Sequence, residues 1–257
     1  MSRTQNNSKS TRVWELDFIR GTAILFMIFL HLNYVLIYYQ DIEILKNTPN
    51  IEKIADLLMD YGGTFFIVIS GICCCYSKNN LNRGLSLFFV ASILTYVTFI
   101  FESYIVTDYH SAIFFGVLHF LAVSMIIGHF VLRFIEHSRF KSFFLYSLPF
   151  VAVALAISGY VLRSRGFSFP ILYGYSIPNI FRSADYFTIL PYLGWFILGI
   201  FIGKTFYTRG YALFKSERLG NFVIIKGISF IGRKSLYFYL AHQPVIFAIL
   251  FILESKK

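Results

Sequence analysis

The chain has 257 residues, of which 57% are hydrophobic and only 14% are charged. That balance lies outside the usual range for a soluble domain and is typical of a protein that lives in a lipid bilayer. Its net charge of +10 comes from basic residues that border apolar runs, which excludes the single long basic patch of a nucleic-acid-binding protein. Composition therefore predicts an integral membrane protein with no nucleic acid partner.

Seven apolar runs approach or exceed the length that a helix needs to cross about 30 Å of hydrocarbon. They lie near residues 18–39, 61–77, 85–106, 112–135, 143–162, 188–206 and 235–253. No linker or internal repeat separates them. The sequence therefore predicts one integral-membrane domain over 1–257, an all-α polytopic bundle of about seven transmembrane spans after a short polar tail at 1–14.

Basic residues predict the orientation of this bundle. Most of the 23 Lys and Arg residues precede the first run or follow the second, fourth and sixth runs. The positive-inside rule then places the N-terminus in the cytoplasm and the C-terminus outside. Binding of a polyanionic cofactor from the cytosol is a second use for the same residues, and composition does not separate the two uses.

The first run, "ELDFIRGTAILFMIFLHLNYVL" (15–36), has an Arg at its mouth and a lone His well inside it. Eleven residues separate Arg20 from His31, which places both side chains on one helix face about 16 Å apart. A ligand that is anionic at one end and reactive at the other, such as a phosphorylated pantetheine thioester, could span that distance. A hydrogen bond from His31 to a neighbouring helix is the alternative. Asp17, three residues before Arg20, could orient its guanidinium.

Two further histidines are candidates. Helix counting places His119 at about the depth of His31, so the two could meet in catalysis, with a structural role for His119 equally open. His242 lies about 10 Å from the cytoplasmic end of the last run and suits either a cofactor channel or a hydrogen bond that holds the helix.

Candidates for ligand contact lie at both membrane surfaces. On the outer side, Asp185 could orient an acceptor amine, and Tyr34, three residues beyond His31, could line the acceptor site; solvation and packing are the alternatives. On the inner side, Arg233 and Lys234 could bind the phosphates of coenzyme A or simply follow the positive-inside rule.

Other segments carry weaker signals. The consecutive Cys73, Cys74 and Cys75 point in different directions around a helix, which favours packing, with acylation as the alternative. No His or acidic residues have metal-ligand spacing, so no metal site is predicted. Residues 163–187 could form an external cap or a re-entrant hairpin, and the conformation of 208–230 is open.

Five segments in register resemble a known family. They are "ELDFIRG" with the Arg20 and His31 spacing, "GGTFFIVISG" (62–71), "FGVLHFLAVSM" (115–125), "SADYFTILPYLGWFILGIFIGK" (183–204) and "IGRKSLYFYLAHQPV" (231–245). Over residues 12–250 the chain resembles bacterial members of the heparan-α-glucosaminide N-acetyltransferase catalytic-domain family, within the membrane-integral acyl-CoA-dependent acyltransferases. Lysosomal members have more transmembrane helices, and their acceptor-binding residues have no obvious equivalents here.

The resemblance implies an acyltransferase of the bacterial cytoplasmic membrane. It implies transfer of an acyl group, commonly acetyl from acetyl-CoA in the cytoplasm, to an amine or hydroxyl of a sugar or glycan on the other side. By position, the resemblance gives His31 the catalytic role and Arg20 a supporting one.

The chemistry can also be argued from the residues. A neutral imidazole suits a general base, because its reference pKa is near 6.5, and it could instead carry the acyl group covalently. The main alternative is a proton-coupled small-molecule transporter, in which intramembrane histidines form a proton relay. Such a transporter predicts inverted repeats, which the sequence does not show. Homo-oligomerisation stays open.

Overall fold

The computed structural model describes residues 13–40, 49–104, 112–165, 185–207 and 220–254. Eight helices lie in these ranges: α1 (Trp14–Gln40), α2 (Pro49–Cys74), α3 (Asn80–Tyr104), α4 (Val117–His137), α5 (Lys141–Ser164), α6 (Ile189–Phe206), α7 (Val223–Arg233) and α8 (Ser235–Glu254). Within the same ranges there is no strand, only one isolated bridge between Phe115 and Tyr186. The predicted all-α fold is confirmed.

Four helices have the length and apolar composition to cross a membrane, among the residues described. They are α3, α4, the Lys141–Leu162 part of α5, and α6, and they match the third to sixth predicted runs. The shorter apolar segment Tyr61–Cys74 matches the second run, while α1 and α8 coincide with the first and the last. The count of seven spans and the cytoplasmic N-terminus remain predictions.

The chain divides into two compact units. One comprises Met1–Phe66 and Tyr207–Lys257, and the other comprises Ile67–Phe206. We call them the first unit and the second unit. The boundary falls inside α2, so this helix contributes to both. The prediction of a single domain stays a prediction.

In the first unit, α1 packs along α7 and also against α8. Two glycines permit the close crossing of α1 and α7. A Cβ atom at Gly21 would overlap the carbonyl oxygen of Ile228, and one at Gly232 would overlap that of Asp17. Any larger residue would push the two backbones apart, as at small-residue crossings in membrane bundles.

In the second unit, α5 packs against α6, and α3 packs against α4. The most deeply buried large side chains are Phe120, Phe196, Ile67 and Ile200. By contrast, α3 and α5 expose large apolar side chains, among them Phe89 and Phe150. Helices that turn such side chains outward fit a lipid environment, where exposed apolar surface carries no hydration penalty.

Candidate active site

A pair of histidines forms the centre of the candidate site in the first unit. His31 on α1 and His242 on α8 have ring centroids 5.0 Å apart, with the rings 77° from parallel. The ring of Tyr239 lies 5.5 Å from that of His242 and extends the cluster by one helical turn. Packing of α8 on α1 thus brings together two imidazoles that are 211 positions apart in the sequence.

Backbone hydrogen bonds fix the tautomer of both rings. The Nδ1 atom of His31 lies 2.8 Å from the carbonyl oxygen of Met27, and Nδ1 of His242 contacts the carbonyl oxygen of Tyr239. A carbonyl oxygen can only accept, so each Nδ1 carries the hydrogen and donates it. In the neutral rings both Nε2 atoms therefore hold the lone pair, which is the basic and nucleophilic position.

The two imidazoles differ in their exposure. His31 is half-buried, whereas His242 is 8% exposed, and its Nε2 atom is fully buried without a hydrogen-bond partner among the described residues. A buried acceptor with no donor destabilises the folded state, because it has lost its hydrogen bond to water and has formed no other. An N–H or O–H group of a ligand beside His31 would satisfy it.

Cationic side chains gather at the other end of the first unit. Arg20 lies on the same unbroken helix as His31, and its Nη1 atom is 3.8 Å from Oδ1 of Asp17, as the spacing predicts. Gly232 packs against the Asp17 backbone. Arg233 and Lys234 follow Gly232 directly in the chain, so they lie at this end, and both are exposed. Three of the predicted coenzyme A ligands therefore share one end of the α1 and α7 crossing, while the fourth, His242, lies in the histidine pair.

His119 belongs to the second unit, near the start of α4. Its Nε2 atom lies 3.4 Å from the Thr95 hydroxyl, which itself donates to the carbonyl oxygen of Ile113 at 2.6 Å. The hydroxyl hydrogen is thus used, so Nε2 of His119 donates. Phe115 stacks on the ring and Phe88 meets it edge-on. These contacts support the structural alternative for His119, and its predicted meeting with His31 stays a prediction.

Asp185 also lies in the second unit, where it caps a helix. Its Oδ2 atom accepts a hydrogen bond of 2.9 Å from the backbone N–H of Val117, the first residue of α4. The carboxylate thus satisfies one of the unpaired N–H groups at that helix end. A cap from 68 residues away leaves no local signal in the sequence, so sequence reasoning missed it. The Tyr34 side chain lies outside the described part of the chain.

The three cysteines, all within the described residues, form no disulfide. Cys75 follows the end of α2, and its thiol approaches the carbonyl oxygen of Ile200 on α6 at 3.4 Å. This contact with α6 fits the packing role predicted for the cysteines. No cluster of metal-ligating side chains occurs in the part of the chain that the structure describes.

The fold and the comparisons together define a class of protein. The chain is an all-helical membrane protein with a pair of histidines between two helices, and it matches a family model described as heparan-alpha-glucosaminide N-acetyltransferase, catalytic, over residues 12–244. It is therefore a membrane protein of the acetyltransferase class. The chain belongs to the heparan-alpha-glucosaminide N-acetyltransferase catalytic family. Comparison with curated proteins and with solved structures gave no match.

Proposed function

We propose that this protein transfers an acetyl group from acyl-CoA, supplied on the cytoplasmic side of a bacterial cytoplasmic membrane, to an amine or hydroxyl of an extracytoplasmic sugar or glycan. The observation that carries the proposal is the histidine pair: two adjacent imidazoles whose Nε2 atoms are both held as lone-pair acceptors. Family membership supplies the reaction class.

As a general base, His31 takes the proton of the acceptor. Its Nε2 atom removes the N–H or O–H proton as the acceptor attacks the thioester carbon, the carbon–sulfur bond breaks, and the thiolate leaves with the electron pair. The imidazolium then returns its proton to the thiolate. A half-buried imidazole with Nδ1 held by Met27 keeps Nε2 aimed in one direction during both proton transfers.

As an acyl carrier, His31 attacks the thioester itself. Nε2 then bonds to the acetyl carbon while the carbon–sulfur bond breaks and the thiolate leaves. In a second step the acceptor attacks that carbon, the carbon–nitrogen bond breaks, and the freed Nε2 takes the acceptor proton and passes it to the thiolate. The two routes differ in one measurable way. Incubation with radiolabelled acetyl-CoA and no acceptor labels the protein only if His31 carries the group, and His31→Ala abolishes that label.

Cations and His242 position the donor in this proposal. Arg20, Arg233 and Lys234, which share one end of the first unit, bind the phosphates of the nucleotide through charge-assisted hydrogen bonds. His242 uses its buried Nε2 atom to accept a hydrogen bond from an amide N–H of the pantetheine arm. The thioester then lies beside His31.

Asp185 and Tyr34 are the candidates for acceptor binding. Asp185 already engages the start of α4, so any acceptor amine that it binds shares the carboxylate with the Val117 N–H group. Capping needs only an oxygen that accepts a hydrogen bond, whereas binding of an amine uses the negative charge of the carboxylate. Substitution of Asp185 can therefore separate acceptor binding from capping.

The test is acetyl transfer by purified protein in nanodiscs. Labelled acetyl-CoA is supplied with a panel of amino sugars and cell-envelope glycans, and wild type is compared with His31→Ala. We expect the variant to lose about 10²–10⁴-fold in rate, the usual contribution of a general base. His137→Ala is the matched control, because His137 is an exposed histidine at the end of α4.

Two results would contradict the proposal. Full transfer activity in His31→Ala would remove His31 from the chemistry. Movement of a sugar across the membrane without consumption of the thioester would favour the transporter alternative.

A further inference from the structure

A polar cavity of about 390 Å³ lies in the second unit, where α2 and α4 end and α3 begins. Its walls come from the connection between α2 and α3 and from the last turns of α4. Because apolar spans end at this level, the cavity lies at the depth of lipid headgroups. The mechanism proposed for the first unit uses none of these residues.

Two cations lie at the rim of the cavity. Lys78 and Arg133 line it, are exposed, and form no ion pair within the described residues. Glu136, the acidic residue in the wall, is bound to Lys204 at 2.9 Å, so its charge is already balanced. The rim therefore retains a net positive charge, which favours an anion.

Two residues that line the cavity have buried hydrogen-bonding atoms without a partner among the described residues. Asn80 is 4% exposed; its Nδ2 atom donates to the carbonyl oxygen of Cys74 at 2.7 Å, while its Oδ1 atom is buried without a partner among the described residues. The Ser77 hydroxyl is buried and unpartnered in the same way. These two side chains thus favour a ligand with a hydrogen-bond donor, in addition to the anionic group that the rim favours.

We propose that this cavity binds a phosphate ester that carries a free hydroxyl group. Lys78 and Arg133 bind the phosphate at the rim, the ligand hydroxyl donates to Oδ1 of Asn80, and Ser77 donates to a phosphate or hydroxyl oxygen. The headgroup of phosphatidylglycerol and soluble glycerol 3-phosphate share this chemistry. The proposal stands apart from the proposed acetyl transfer, since it uses other residues in the other unit.

Binding is measured on the full chain in nanodiscs. In the lipid arm, native mass spectrometry counts phosphatidylglycerol retained by protein taken from mixed phosphatidylcholine and phosphatidylglycerol nanodiscs. In the soluble arm, calorimetry follows glycerol 3-phosphate added to protein in pure phosphatidylcholine nanodiscs. The double variant Lys78→Gln with Arg133→Gln tests the rim, and Arg139→Gln is the matched control, since Arg139 is exposed nearby and does not line the cavity.

We expect the rim variant to weaken binding of the responding probe by about tenfold or more, the effect of losing charge-assisted hydrogen bonds. Ser77→Ala weakens it by roughly threefold without lowering Tm, because its hydroxyl has no protein partner to lose. Retention in the lipid arm alone identifies a lipid headgroup as the source, and binding in the soluble arm alone identifies a soluble ester. Failure of both probes to bind, or equal binding by wild type, the rim variant and Arg139→Gln, overturns the proposal.

Discussion

One atom in the first unit supports the proposed position of the donor. The Nε2 atom of His242 is buried beside His31, and leaving such an acceptor unsatisfied costs about 1–3 kcal/mol of folding free energy. His119 in the second unit also has one hydrogen-bonded ring nitrogen, Nε2, but neither of its ring nitrogens is among the buried, unpartnered atoms of the described residues. The unpartnered acceptor therefore distinguishes His242 from His119 and supports a ligand-binding role for His242.

Replacement of His242 by Phe tests this interpretation. The variant keeps an aromatic ring against His31 and Tyr239 but removes the acceptor atom. We expect KM for acetyl-CoA to rise about fivefold, the value of one hydrogen bond, while kcat falls less and Tm is not lowered. Steady-state kinetics and thermal unfolding in nanodiscs measure the three quantities, with His137→Phe as the control. A fall in kcat at constant KM would assign His242 to the chemical step instead.

At the level of helices, close backbone contact holds the candidate site together. α1 carries Arg20 and His31, and α7 crosses it where Gly21 and Gly232 remove the side chains that would intervene. In a bilayer there is little hydrophobic force between helices, so van der Waals packing at such crossings contributes much of the stability of helix association. The crossing also sets where Arg233 and Lys234 lie.

Gly232→Ala is expected to disrupt this crossing. Its new Cβ atom overlaps the Asp17 carbonyl oxygen, a backbone atom that cannot rotate away. We expect a loss of about 1–3 kcal/mol in stability, the range for overpacking, seen as a lower Tm in detergent. Gly227→Ala is the control on the same helix, because a Cβ atom there meets nothing within 4 Å, and helix propensity alone would stabilise it. Equal Tm values for the two variants would contradict the close crossing.

Asp185 allows capping to be separated from substrate binding. Asp185→Asn retains an oxygen that can accept from the Val117 N–H group, whereas Asp185→Ala does not. We expect Asp185→Ala to lose about 1 kcal/mol of stability and Asp185→Asn much less. If the carboxylate also binds an acceptor amine, Asp185→Asn raises KM for the acceptor at unchanged Tm. Thermal unfolding and acceptor kinetics give the two readouts, and an unchanged KM would leave Asp185 with capping alone.

At the scale of the whole molecule, features that depend on neighbouring residues in the chain can be predicted from the sequence. Features that depend on which helices pack together cannot. The apolar runs at 85–106, 112–135, 143–162 and 188–206 match observed helices because span length and composition are local properties. Which helices become neighbours is not local. Helix counting offers His119 as a partner of His31 by depth alone and does not indicate that the ring of His242 contacts His31. Pro244, two residues after His242 on α8, is the available signal of unusual packing on that helix.

The cavity in the second unit illustrates the same limit. Ser77, Lys78 and Asn80 are ordinary polar residues between two apolar runs, and Arg133 resembles any basic residue at the end of a span. Only the fold shows that they share one cavity and that Asn80 is buried in it.

The orientation of the molecule is a prediction that fusion reporters can decide. The distribution of Lys and Arg, with seven spans, places the C-terminus outside and residues 138–140, between α4 and α5, in the cytoplasm. We expect alkaline phosphatase fused after residue 257 to be active and green fluorescent protein at the same point to be dark, because each reporter matures on only one side. Fusions after residue 140 serve as the control and should give the reverse pattern. Cytoplasmic signals at both fusion points would mean an even number of spans after residue 140, which would contradict the three spans predicted there.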